Sequence, residues 1–73
     1  MRFEEYVKNP LWPILVETVH SMVLYPSHRA YTRDVVLQEQ PDVTPSDLAV
    51  EIGVSLGEAL VILYELQKGK TQS

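Results

Sequence analysis

The chain contains no cysteine, which excludes a disulfide framework and thiolate metal sites and suits a reducing compartment. Its three glycines form no glycine-rich phosphate loop. No apolar run approaches the roughly 20 residues that a membrane span needs; "LWPILV", "MVLY" and "ALVILY" are far too short. Cations are also scarce, with six Lys or Arg against ten Asp or Glu and a formal charge of −4. A strongly basic nucleic-acid binder has the opposite balance, although an acidic chain can still carry a local basic patch. The opening "MRFEEYVKN" places acids where a secretory leader has basic charge and then an apolar core, so neither a leader nor a membrane partner is expected. Cytoplasmic location is the resulting expectation.

What is present is a folding composition. Hydrophobic residues make up 45% of 73 residues, and the charges are mixed, which separates the chain from disordered sequences. The length allows one domain, which at this size buries only about 60% of the surface its unfolded chain exposes. Small folds of this kind gain from disulfides, metals or partner subunits. With the first excluded, a partner subunit is the help to look for.

Two proline-marked breaks, "YPSH" and "QPDVTP", divide the chain into three parts. The first predicts a helix over about 10–24, capped by Asn9, with Pro10 in the first turn and Pro13 still tolerated there. Leu11, Leu15, Val19 and Met22 or Val23 recur at helical spacing, with Trp12 and Val16 beside them. Glu17, His20 and Ser21 form the wet side. The second part, "AYTRDVVLQEQ", predicts a short helix over about 30–39, stopped by Pro41.

The third part, 44–68, predicts two helices and a tight turn. Thr44 caps the first, with Pro45 in its first turn, Asp47 three residues on and Val43 set to staple against Leu48. Ser55 and Glu58 have the spacing of a second capping box, and Gly53 between them permits a left-handed turn. Leu48, Ala49 and Ile52 face inward from one helix, and Ala59, Ile62, Leu63 and Leu66 from the other.

These residues, "DLAVEIGVS" followed by "EALVILYELQKGK", resemble the winged-helix branch of the helix-turn-helix superfamily. The resemblance covers roughly 31–70. It implies that Ala49 and Gly53 hold the turn, that Val54 plugs the core, that 30–39 is a scaffold helix and that the helix from Ser55 is the reading helix. The expected fold is all-α, a small three- to four-helix domain with a winged-helix-like core. The chain departs from the family at "QKGKTQS", where a two-stranded wing would begin, so a complete wing is not expected.

The reading helix is a poor ligand for DNA. In the family pose Ser55, Leu56, Gly57, Leu60, Val61 and Tyr64 would face the groove, yet base edges are read by Arg, Lys, Asn and Gln. None of these lies between Ser55 and Leu66. Glu58 and Glu65 would repel phosphate, and Lys68 alone would attract it. Gly57, Leu60, Val61 and Tyr64 instead form an apolar face opposite the core stripe. Two covers for it stand open. One is a protein contact, most simply a homodimer across a two-fold axis; the other is the chain's own N-terminal helix.

The remaining cations concentrate in "SHRAYTR", where His28, Arg29 and Arg33 (with Ser55 and Lys68) are the candidate nucleic-acid contacts. The bland alternative is a solvated helix start. His20 and His28 lack the spacing and the third ligand of a metal site, the serines have no triad context, and no cofactor or small-molecule substrate is indicated. A non-catalytic protein is expected. The leading expectation is a helix-turn-helix module of transcription or another nucleic-acid process, using its apolar second helix to self-associate or bind a partner. The alternatives are a dimeric regulator that contacts DNA phosphates through Arg29 and Arg33, and a structural interaction subunit with no nucleic-acid role.

Overall fold

The structure, a computed structural model, describes residues 3–71, with side chains through 68. It is all-α, and no strand occurs among the described residues. Helices α1 (Glu4–Lys8) and α2 (Trp12–His20) lead into α3 (Tyr25–Tyr31), which runs through a π-helical turn (Thr32–Val36) into the short α4 (Leu37–Glu39). Then come α5 (Pro45–Ile52) and α6 (Leu56–Thr71). No described helix is long and apolar enough to cross a membrane.

The α5–α6 pair forms as its caps dictate. The Asp47 N–H donates to Thr44 Oγ1 at 3.2 Å, and the Glu58 N–H to Ser55 Oγ at 3.1 Å. Gly53 closes α5 in the left-handed region at φ 70° and ψ 40°. The Val54 N–H reaches back to the Ala49 carbonyl at 3.0 Å, so the carbonyls left open at the helix end are used in the turn. A Cβ at Gly53 would be strained by its φ alone. Gly53→Ala is therefore expected to cost about 1–2 kcal/mol, and Gly53→Asn distinctly less, read as shifts in a thermal unfolding midpoint.

The first two segments differ from the helices expected at 10–24 and 30–39. Helix α2 stops at His20, because the Ser21 N–H divides itself between the Glu17 and Thr18 carbonyls while Ser21 Oγ donates to Thr18 O at 2.6 Å. Met22, Val23 and Leu24 thus fall in an exposed turn, and the α2 core line is Trp12, Leu15, Val16 and Val19. Leu11, expected in that line, is instead exposed. Helix α3 starts at Tyr25, earlier than expected, with Pro26 in its first turn, where a missing N–H is harmless. Its ladder widens where the buried Thr32 hydroxyl donates to the His28 carbonyl at 2.8 Å, and the Leu37 N–H closes onto Thr32 O five residues back.

Helix α6 is the centre of the molecule. Ala59, Ile62 and Leu63 are buried in one core with Leu48 of α5, which packs against α6. Contacts from α2 and α3 close on α6 as well. The helix stays regular through residue 71, across the stretch where a wing would have turned away.

Candidate functional site

The apolar α6 face expected to meet a partner is covered within the chain. Val61 is fully buried and Leu60 is 7% exposed. Tyr64 is half-buried, with Trp12 and Phe3 edge-on to its ring at centroid distances of 5.3 and 5.8 Å. Gly57 lies so close to α2 that a Cβ there would stand 3.0 Å from Leu15 Cδ1. Of the two covers left open above, the chain's own N-terminal segment is the one present in the structure. The physical reason is that Trp12 and Leu15 on α2, with Phe3 ahead of α1, supply enough apolar surface to close it.

The second arrangement is polar and was not visible in the sequence. Glu58 and Glu65, two turns apart on α6, both receive side chains from the α2–α3 corner. Glu58, 3% exposed, has its Oε2 2.6 Å from His28 Nδ1. Its carboxylate thus goes to His28 and not back to the Ser55 backbone, as a full capping box would have it. Glu65 accepts the Tyr25 hydroxyl on Oε1 and lies 2.7 Å from His20 Nε2 through Oε2. The two rings that hold it also face each other, His20 tilted over Tyr25 at 5.2 Å. No buried side-chain nitrogen or oxygen among the described residues lacks a partner.

Burial, and then the hydrogen bond and charge of Glu65, push the Tyr25 phenol well above its usual value. Because the folded value lies above the unfolded one, this contribution to stability is complete below about pH 10. It is lost as pH rises through the folded value. In urea titrations across the alkaline range, Tyr25→Phe is expected to start less stable than wild type and to decline less steeply above about pH 10. Parallel declines would mean that the phenol gains nothing from its site.

The expected nucleic-acid contacts each have a partner within the chain. His28 and Ser55 meet at Glu58. Arg29 lies near the Tyr25 phenol, whose ionisation it favours. The Arg33 guanidinium grips the neighbouring Asp34 with Nε–Oδ1 at 2.8 Å and a second bond at 3.2 Å. That pairing holds the Asp34 carboxyl below its usual range. Lys68 Nζ stands 5.9 Å from the Tyr64 ring centre. No group of three or more metal-ligating side chains occurs among the described residues.

Exposed apolar side chains occur in the α2–α3 turn (Val23, Leu24), on α5 (Val50), on α6 (Leu56) and around the α1–α2 corner. Asn9 is extended there, and its Oδ1 accepts the Leu11 N–H at 2.8 Å. The corner leaves a hollow of about 130 Å³ lined by Tyr6, Asn9, Leu11, Trp12 and Leu15. Leu11 and Ile14 are 64% and 61% exposed at this corner. Sequence periodicity assigned Leu11 to the core and did not single out Ile14 or Tyr6; the run "PLWPIL", with more apolar positions than one helix face can bury, was the available signal.

No family model, curated protein or solved structure matches the chain.

Proposed function

We propose that the protein is a non-catalytic helix-turn-helix-type module that works by binding another protein, within transcription or another nucleic-acid process. The contact surface in this reading is the α1–α2 corner and not α6. The observation that carries it is the contrast between a closed α6 face and Leu11 standing exposed at an apolar hollow, with Ile14 exposed one turn further along α2. Apolar side chains grouped on a surface mark contact sites more often than scattered ones do. The nucleic-acid setting comes from the resemblance of the α5–α6 pair, which bears on fold more than on function. Direct groove reading by α6 is disfavoured, because its apolar face is occupied and its two carboxylates face inward to His28, Tyr25 and His20.

Purification from the native host, with and without nuclease, tests this reading. The expected result is a protein partner that survives nuclease and is lost with Ile14→Asp. Loss of every partner on nuclease treatment would contradict it, as would retention of the partner by Ile14→Asp.

A further inference from the structure

A separate hollow of about 460 Å³ is lined by Ser27, His28 and Tyr31 of α3 and by Glu51 and Ile52 of α5. All but Ile52 carry a polar side-chain group. The His28 ring is held in place: its Nδ1 is 2.6 Å from Glu58 Oε2, on a side chain only 4% exposed, while His28 itself is 28% exposed. A carboxylate only accepts, so Nδ1 carries the hydrogen, and in the neutral ring Nε2 is left as an acceptor. Glu51 is the one acid in the lining, and neither Lys nor Arg lines the hollow with it. Gln40 Nε2 donates to both Glu51 oxygens, at 2.9 and 3.0 Å. A carboxylate has about four acceptor positions, so this amide fixes the group and leaves room for a further donor. Tyr31 is half exposed. Directly after it the helix widens into the π-helical turn that begins at Thr32, a rare geometry that often accompanies functional sites. The nearby cations are committed elsewhere, Arg29 by the Tyr25 phenol and Arg33 on Asp34.

We propose that this α3–α5 hollow binds a small organic cation, a guanidinium or primary ammonium on a short apolar stem. Glu51 supplies the opposite charge and His28 Nε2 a second acceptor, with Glu58 as the positioning residue behind the ring. The Tyr31 ring offers a face to the cation, and Ile52 offers apolar surface to the stem. Charge decides the sign of the ligand, because an anion would meet Glu51 with no lining cation to receive it. The volume falls within the roughly 300–1,000 Å³ of small-ligand sites. A divalent metal fits worse, since His28 and Glu51 fall short of the three or four protein ligands that such an ion usually takes. The cation can come from a free molecule or from an arginine or lysine side chain of another protein.

The test titrates the full chain with n-butylguanidinium and with n-butylurea, its uncharged isostere, following NMR shifts at about pH 8, where imidazole is ordinarily neutral. Butylguanidinium is expected to give saturable shifts confined to the lining residues, with a Kd of about 1 mM or tighter. Butylurea is expected not to saturate. Glu51→Gln should weaken binding roughly tenfold or more, and Tyr31→Leu about two- to fivefold. An acetylated, amidated Gly-Arg-Gly peptide separates the two sources. Tighter binding of the peptide than of butylguanidinium assigns the site to a protein side chain, and weaker binding assigns it to a free molecule. Equal binding of butylurea, wild-type binding by Glu51→Gln, or shifts spread over acidic residues of the whole surface would overturn the proposal. Ile14→Asp is expected to leave the titration unchanged, so the outcome here is read separately from that of the α1–α2 contact surface.

Discussion

His28→Ala is expected to destabilise the protein by about 2–3 kcal/mol, seen as a lowered urea midpoint with an unchanged slope. The imidazole is the side-chain partner of the Glu58 carboxylate, whose side chain is 4% exposed against 28% for His28. Removing one member of a fully buried pair costs about 3–5 kcal/mol, because the remaining charge is left without compensation. The part-exposure of His28 lets water reach the vacated side, which lowers the figure. Replacing both members, His28→Leu with Glu58→Leu, is expected to recover most of the loss, since no orphaned charge remains. A double variant as unstable as His28→Ala would mean that the imidazole contributes by packing and not by pairing.

Val61→Glu is expected to have a larger effect and to prevent stable folding at neutral pH. Val61 is fully buried within the hydrophobic core. An ionised carboxylate placed there loses its hydration without a partner, and the effective penalty is several kcal/mol. A protein of this length has a total stability of about 4–11 kcal/mol. Circular dichroism would read the result as loss of the cooperative thermal transition. The opposite outcome, a folded Val61→Glu whose only change is the loss of an oligomer, is what a partner-facing α6 would give.

The α5–α6 pair was legible because its determinants are local. Thr44 with Asp47, Gly53, and Ser55 with the Glu58 N–H each act within a few residues, and each forms as the spacing predicts. The inward stripe from Leu48 to Leu63 follows from helical periodicity in the same way. The end of α2 was not legible, because Met22, Val23 and Leu24 continue an apolar rhythm that Ser21 interrupts only through its side-chain bond to Thr18. Helix α6 could be read as apolar on both sides, but not what lies against it. Trp12 and Leu15 come from some forty or more positions away along the chain, at a distance no local pattern reports. The same holds for the seam, where His28 meets Glu58 across a separation of 30 and Tyr25 meets Glu65 across 40. A glutamate beside the core stripe was the sole hint, and local capping already accounted for it.

The central claim is that one copy of the chain closes its own α6 face with α2. The most direct measurement is an isotope-filtered NOE experiment on an equal mixture of labelled and unlabelled protein, following the Leu15 methyls against Gly57 Hα. Those atoms are expected to give a strong cross-peak within single labelled molecules, unchanged on dilution. A cross-peak that appears only between labelled and unlabelled molecules would place a second copy on α6 and contradict the account.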